Sequence, residues 1–121
     1  LANGDARDEA SACELLRFTG ATGVMLGRAT RGRPDLPGTA FDMLEGRTFK
    51  RLSSDVLATT ILDHARLLAE EHGEHRGICR MRKHAHWYLA SAGAKFAKEK
   101  VHLIETIAEL EKFLDGIAWK N

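Results

Sequence analysis

The chain has 121 residues, of which 44% are hydrophobic and 29% charged, so it can bury one core, or one core and an appendage, but not two full domains. No apolar run approaches the roughly 20 residues that span a bilayer, which argues against a membrane protein. The formal net charge of +1 does not by itself indicate a nucleic-acid partner. Because Cys13 and Cys79 are the only cysteines and no secretory signal precedes them, free thiols in a reducing cytoplasm are expected.

The chain begins without Met, which suggests a piece of a longer protein.

The first predicted elements are a strand, a helix and a second strand. Residues 1–5 run from two apolar residues into Asn-Gly-Asp, the pattern of a buried strand that ends in a turn. Asp8 is placed to begin a helix and Gly20 to end it. The apolar run in residues 23–27 predicts a second strand, buried on both faces with Met25 in the core. A helix of about ten residues between these strands predicts a parallel pair with a right-handed crossover.

Residues 27–38 are rich in Arg, Gly and Pro, and they predict a loop that leaves the carboxyl end of the second strand. Pro37 is assigned to this loop. Residues 41–44 are then predicted to form a short helical turn, which Gly46 stops.

The composition changes after Ser53, where there is no further Pro and little Gly, and the sequence predicts three long helices. The first has Ser53 as its N-cap and ends at Gly73, and the second covers residues 76–91. The third starts near Lys95 and continues at helical spacing. Its apolar residues at that spacing are Leu103, Ile107, Leu110, Leu114 and Ile117. Amphipathic helices with short links predict a small antiparallel bundle, so the expected fold class is mainly α.

A basic helix face is the first functional feature. It consists of Arg76, Arg80, Lys83 and Trp87, which follow helical steps and form one stripe. Because cations bind phosphate and an indole can stack on an unpaired base, this stripe favours RNA binding. The basicity is local and extends along residues 76–100. Its cations are Arg76, Arg80, Arg82, Lys83, Lys95, Lys98 and Lys100. A merely solvated helix face is the alternative.

Two strand ends form the second functional feature. Asn3, Gly4 and Asp5 follow the first predicted strand, and Gly27 and Arg28 follow the second. In a β/α barrel the loops after the last two strands commonly bind phosphate, because backbone amides there point at the anion. Arg28 would add a forked, permanently charged donor. A glycine that only makes a turn is the alternative at these positions.

Together these motifs resemble one family over the whole chain. In order they are Asn3-Gly4-Asp5, Gly23-Val-Met-Leu-Gly27-Arg28-Ala29, Gly32-Arg33-Pro34, Arg82-Lys83-His84 and Trp87-Tyr88. The chain is similar to the carboxyl-terminal part of a flavin-dependent tRNA-dihydrouridine synthase of the bacterial B-type branch. The resemblance implies that residues 1–48 are the last two strands and the intervening helix of a (β/α)8 barrel, and that residues 49–121 are a helical tRNA-binding domain.

The resemblance also implies a reaction and individual roles. Such enzymes reduce uridine in tRNA to 5,6-dihydrouridine with FMN, which NADPH recharges. The positions that match the FMN-phosphate site are Asn3, Gly4, Asp5, Gly27 and Arg28. The cations of residues 76–100, with Trp87, are expected to face tRNA. Because the catalytic Cys of the family lies on an earlier barrel strand, no catalytic residue is expected here, and the chain alone is expected to be inactive and to bind FMN poorly.

One position departs from the family pattern. These enzymes usually have an aromatic residue after Gly-Arg-Pro, where this chain has Asp35, and the change removes an apolar anchor from residues 33–41.

The histidines and the remaining functions complete the predictions. His75 and Cys79 lie four residues apart, but together with His84 and His86 they lack the ligand spacing of structural zinc sites, so no metal site is predicted. Tyr88 is assigned to the core, and His84 to its boundary, where a structural hydrogen bond and an RNA contact are both open. A helical module that binds an acidic protein, and the end of another FMN-binding barrel oxidoreductase, are the alternative functions.

Overall fold

The computed structural model describes residues 1–119, which are mainly helical with a small parallel sheet. The chain divides into two compact units, Leu1–Arg51 and Leu52–Asn121. The elements of the first unit are β1 (Ala2–Asn3), α1 (Glu9–Thr19), β2 (Val24–Met25), a 3-10 turn (Arg28–Thr30) and α2 (Leu36–Leu44). Those of the second are α3 (Ser54–His72), α4 (Glu74–Ser91), a 3-10 helix (Lys98–Leu103) and α5 (Ile107–Asp115). No helix among the described residues is long and apolar enough to cross a membrane.

The two strands pair in parallel, as the strand, helix, strand pattern predicted. Ala2 lies opposite Val24, and Asn3 lies opposite Met25. Helix α1 joins the strands and packs against both of them. The loops that follow β1 and β2 therefore leave the sheet side by side, at the same edge.

The ends of α1 are where the sequence predicted them. Asp8 Oδ1 accepts a hydrogen bond from the Ser11 N–H at 2.8 Å, and Ser11 Oγ accepts one from the Asp8 N–H at 3.0 Å. This reciprocal capping box satisfies two amides that a helix start leaves unpaired. Gly20 ends the helix in the left-handed conformation, with φ 64°.

The prediction that β2 is buried on both faces is wrong. Val24 is half-buried, and Met25, which was assigned to the core, is 54% exposed. The sheet has two strands among the described residues, and α1 is the helix that packs against both of them. The core of this unit is accordingly small and is built around Ala6, Ala12 and Ala40.

Helix α2 begins earlier than the predicted turn at residues 41–44. It starts at Leu36, with Pro37 in its first turn. Proline suits that position, because its fixed φ matches a helix start and its missing N–H would have no helical partner there. Pro37 therefore belongs to the helix and not to the loop, while Gly46, with φ 69°, follows the helix end as predicted.

A nearly buried ionic cluster joins α1 to the start of α2. Arg33 donates from Nε to Asp35 Oδ1 at 3.0 Å and from Nη2 to Glu9 Oε1, which also accepts the Thr39 hydroxyl at 2.7 Å. The Arg33, Glu9 and Asp35 side chains are only 14%, 12% and 7% exposed. Burial opposes ionisation of Glu9, but the hydrogen bonds from Thr39 and Arg33 outweigh it and lower the pKa of this carboxyl. Asp35 thus binds Arg33 at the position where the resemblance implies an aromatic residue.

Helices α3 and α4 form an antiparallel hairpin. Ser53 caps α3 by accepting the Val56 N–H at 3.4 Å, and Gly73 ends the helix, both as predicted. Met81 is 1% exposed and fills the core, also as predicted. The other residues buried in this core include Leu57, Ile61, Ala65, Ile78, Ala85, Leu89, Val101, Leu110 and Leu114.

The hairpin helices approach most closely where α4 has a glycine. A Cβ on Gly77 would lie 2.6 Å from the backbone N of Ala69 and 2.7 Å from its Cα. Atoms cannot approach that closely, so the side chain of any other residue would force the two backbones apart. The sequence pattern gave Gly77 no role.

The prediction of one continuous third helix is wrong. The 3-10 helix ends at Leu103 and is followed by Ile104, which is extended with φ −77° and ψ 129°, and α5 begins after Thr106. Thr106 Oγ1 accepts the Glu109 N–H at 3.2 Å, and Glu109 Oε2 accepts the Glu105 N–H at 2.8 Å. This Thr-x-x-Glu cap starts a new helix, although the helical spacing of apolar residues continues across the break.

Candidate functional site

The five residues predicted to hold a phosphate lie around one open cavity at the carboxyl ends of β1 and β2. The cavity has a volume of about 860 Å³. Its lining includes Asn3, Gly4, Asp5, Gly27 and Arg28, together with Ala6, Arg7 and Ala29. The parallel register of the strands explains this arrangement, because it sets the two loops next to each other.

Arg28 and Asp5 form an ion pair at this cavity. Arg28 Nη2 donates to Asp5 Oδ1 at 2.8 Å, and the two side chains are 78% and 70% exposed. The 3-10 turn that begins at Arg28 is closed by the Thr30 amide and hydroxyl, which donate to the Gly27 carbonyl at 3.0 and 2.8 Å. The pair therefore holds a guanidinium beside the strand ends in contact with solvent.

The three cations of the basic stripe on α4 face the solvent. Arg76, Arg80 and Lys83 are exposed, whereas the opposite side of the helix is buried against the core. Trp87 is half-buried, with Lys83 Nζ 5.1 Å from the indole centroid. The indole also contacts the His84 ring edge to face, with 5.3 Å between the ring centroids. One part of the Trp87 ring is thus already in contact with a cation, so it is less open to a base than the helical wheel predicted.

Arg82 makes an internal contact that the sequence did not predict. Its Nε and Nη2 donate to the Ile104 carbonyl oxygen at 3.0 and 2.8 Å. Glu74, also on α4, accepts the Ile107 N–H at 3.0 Å. These two side chains hold the junction between the 3-10 helix and α5. The predicted phosphate contact of Arg82 stays a prediction, but its guanidinium points to a different surface from Arg80 and Lys83.

The remaining predicted cations lie in and before the 3-10 helix. Lys95 and Lys100 are exposed and Lys98 is half-buried. Phe96, which lies between Lys95 and Lys98 in sequence, is 59% exposed, and the sequence pattern gave it no role. An aromatic residue among lysines is the signal that would have singled it out.

Comparison with known proteins decides the family. A family model described as dihydrouridine synthase matches residues 1–121. The chain belongs to the dihydrouridine synthase family.

Named relatives agree with this assignment. The chain is 36% identical over 92 residues to a tRNA-dihydrouridine synthase B of Pseudomonas syringae pv. tomato, covering 75% of this chain and 27% of that protein. It is 35% identical over 121 residues to a probable tRNA-dihydrouridine synthase of Mycobacterium tuberculosis, covering 97% and 31%. It is 32% identical over 124 residues to a tRNA-dihydrouridine synthase B of Vibrio cholerae, covering 98% and 38%. The chain therefore spans well under half the length of these relatives, and the resemblance to a dihydrouridine synthase is confirmed.

A group of aromatic and imidazole rings joins α3 to α4 beneath the basic stripe. Tyr88 is buried, as predicted, and its hydroxyl lies 3.2 Å from His64 Nδ1. The His64 and His84 rings are 4.7 Å apart. Burial, together with the charge of His84, lowers the pKa of His64, and burial raises the pKa of Tyr88. His84 is half-buried at the helix contact, where its ring neighbours are His64 and Trp87.

We expect the second unit to lose stability in mild acid through His64. Its pKa in the folded state lies below the ordinary value of 6.5, so the neutral ring is favoured by folding. That stabilisation is complete above pH 6.5 and declines as the pH falls below it and then through the folded pKa. His64→Gln should reduce the pH dependence of urea unfolding in this range, whereas His102→Gln, at an exposed imidazole, should leave it unchanged. A His64→Gln chain with an undiminished acid slope would contradict this account.

The possible metal ligands do not converge. Cys79 Sγ lies 3.9 Å from His75 Nε2 on α4. Within residues 1–119, no group of three or more His, Cys, Asp or Glu side chains is placed to hold a metal ion.

Proposed function

We propose that this chain is the carboxyl-terminal part of an FMN-dependent tRNA-dihydrouridine synthase, which reduces uridine in tRNA to 5,6-dihydrouridine. In this proposal residues 1–48 end the (β/α)8 barrel and residues 49–121 form the tRNA-binding domain. The main support is the cavity where two parallel strand ends bring the predicted phosphate residues together, in a chain of the dihydrouridine synthase family. The catalytic Cys would lie outside this chain.

The barrel part of the proposal accounts for the open side of the sheet. Two strands cannot close a barrel, so in the proposed enzyme further strands would extend the sheet on which Met25 is now exposed. Right-handed parallel β-α-β units are the repeating unit of such barrels. For the same reason the chain by itself is expected to bind FMN weakly and to be inactive.

The residues at the strand-end cavity suit the phosphate of FMN. Arg28 uses one of its donors on Asp5, and its guanidinium has others for a phosphate. The Asp5 carboxylate would repel an anion directly, so its proposed role is to orient Arg28. The Asn3 amide and the backbone around Gly4 and Gly27 would supply neutral donors. When bound, FMN supplies the hydride that reduces the uracil ring, and NADPH replenishes it.

The helical unit is proposed to contact tRNA through the basic stripe of α4. Arg76, Arg80 and Lys83 are exposed on one face and can reach phosphates without rearranging the core. The relatives named tRNA-dihydrouridine synthase support tRNA as the partner, rather than an acidic protein. Family membership likewise favours this proposal over the end of another flavin barrel.

Lys83→Ala tests the tRNA proposal. Because Lys83 is exposed, the substitution should weaken binding of the chain to an unmodified tRNA transcript with little loss of stability. If its ammonium contacts a phosphate, the slope of log affinity against log salt should fall by about 1. Fluorescence anisotropy at several salt concentrations measures both quantities.

Lys50→Ala is the matched control, because Lys50 is an exposed lysine of the first unit. It should leave affinity and slope unchanged. Equal effects of the two substitutions would count against a specific tRNA-facing stripe, and tighter binding of an acidic protein competitor than of tRNA would favour the interaction-module alternative.

A further inference from the structure

A second surface of the helical unit combines an apolar cavity with cations. The cavity has a volume of about 440 Å³ and lies between α5 and the segment that leads into the 3-10 helix. Its apolar lining includes Phe96, Phe113 and Ile117, and its charged lining includes Lys100, Lys112 and Glu109. The strand-end cavity of the first unit shares none of these residues.

Phe96 is the aromatic residue most accessible at this cavity. It is 59% exposed, whereas Phe113 is half-buried and Ile117 is 9% exposed. Lys100 and Lys112 are both exposed. The surface thus offers an exposed aromatic ring beside other apolar side chains, with an ammonium from each of the two segments.

We propose that this cavity binds an unpaired nucleotide of the RNA partner, with the base stacked on Phe96 and the adjoining phosphates contacted by Lys100 and Lys112. This inference rests on the proposed tRNA-binding function and adds a nucleotide site away from the α4 stripe. Base stacking on an aromatic ring tolerates any base, and phosphate charge complements the lysines. Unpaired nucleotides occur in the loops of a folded RNA.

The charge and size of the cavity favour a nucleotide over a peptide helix. A docked amphipathic helix needs several anchor pockets along two turns, whereas this is a single cavity of limited volume. Glu109, the one acid in the lining, already accepts the Glu105 N–H at 2.8 Å in the cap of α5. Lys95 and Lys98, which lie before and after Phe96 in sequence, add positive charge to the same segment, where Glu99 is the one acid between residues 95 and 100.

Phe96→Leu tests the site in the full chain. The probe is a single-stranded oligouridylate with one central 2-aminopurine, compared with the same strand in a duplex. Stacking on an aromatic ring is worth roughly 1–3 kcal/mol per base, so Phe96→Leu should weaken single-strand binding by about 5- to 150-fold and abolish quenching of 2-aminopurine. Phe96→Trp should restore both, and Lys112→Gln should lower the salt slope by about 0.7.

Leu103→Ala is the matched control, because Leu103 is a 67% exposed apolar residue outside the cavity lining. Equal affinities of the Phe96→Leu and Leu103→Ala chains for the single strand would overturn the nucleotide site, as would displacement of the probe by an acidic helical peptide but not by unlabelled RNA. If tRNA binding still depends on Lys83 in that case, only the nucleotide site fails. If the unchanged chain binds no tRNA, the proposed function fails as well.

Discussion

Gly77→Ala is expected to lower the free energy of unfolding of the second unit by about 2 kcal/mol or more. The added Cβ would lie 2.6 Å from the Ala69 backbone nitrogen. This contact cannot be relieved by a side-chain rotation, because a Cβ is fixed by its own backbone and the atom that it meets is also backbone. Ala has a better helix propensity than Gly by roughly 1 kcal/mol, which offsets only part of this cost. The α3–α4 hairpin must therefore widen, and the core around Ile78 and Met81 loses packing.

Urea unfolding followed by tryptophan fluorescence measures this effect. The two tryptophans of the chain, Trp87 and Trp119, both lie in the second unit. Gly116→Ala is the matched control, because its Cβ would meet only ordinary contacts at 3.6 Å and its φ is −84°. We expect the control to change stability by no more than about 0.5 kcal/mol. A Gly77→Ala chain as stable as the control would show that the helices do not approach as closely as described.

Arg33→Ala is expected to destabilise the first unit by about 3–5 kcal/mol. The substitution leaves the Glu9 and Asp35 carboxylates nearly buried without the guanidinium that binds both. Arg51, whose Nε is 3.7 Å from Asp35, is a more distant cation, and the Thr39 hydroxyl remains on Glu9. Hydrogen exchange of the α1 and α2 amides measures the loss in this unit, which contains neither tryptophan.

The control for Arg33→Ala is Arg47→Ala. Arg47 pairs with Asp42 at 2.9 Å, but the side chains are 52% and 36% exposed, so the expected loss of unfolding free energy is at most about 1 kcal/mol.

The pH dependence of the Arg33→Ala effect provides a second check. Because the pKa of Glu9 is lowered in the folded chain, its stabilisation is present above pH 4.5 and is lost as the pH falls through the folded pKa. The deficit of Arg33→Ala should therefore shrink in acid, and a deficit no larger than that of Arg47→Ala at neutral pH would contradict the cluster's importance.

Local signals explain what the sequence predicted correctly. The predicted ends of α1 at Asp8 and Gly20, and of α3 at Ser53 and Gly73, are correct. Capping depends only on residues within one turn of the helix end, so it can be read from the local sequence. The parallel pairing of β1 and β2 followed from the helix between them. The grouping of Asn3 with Arg28 at one cavity follows from that pairing in turn.

The features that sequence reasoning missed depend on contacts between distant residues or on competing local signals. The Arg82 contact with Ile104 requires the chain to fold back on α4, and the need for glycine at position 77 exists only when α3 lies against it. At the break before α5 two local signals disagree: the apolar spacing predicts a continuous helix, whereas Thr106 predicts a new N-cap. The structure has the N-cap at Thr106. The exposure of Met25 depends on how many strands join the sheet, which its own sequence does not encode.

The salt dependence of tRNA binding tests the central claim most directly. The measurement compares the unchanged chain with one that has Gln at all three exposed cations of the α4 stripe, Arg76, Arg80 and Lys83. The account predicts weaker binding at low salt and a slope of log affinity against log salt that is smaller by about 3, close to one unit for each lost phosphate contact. An unchanged affinity and slope in the triple variant, with its fold intact, would contradict the claim that this stripe faces tRNA.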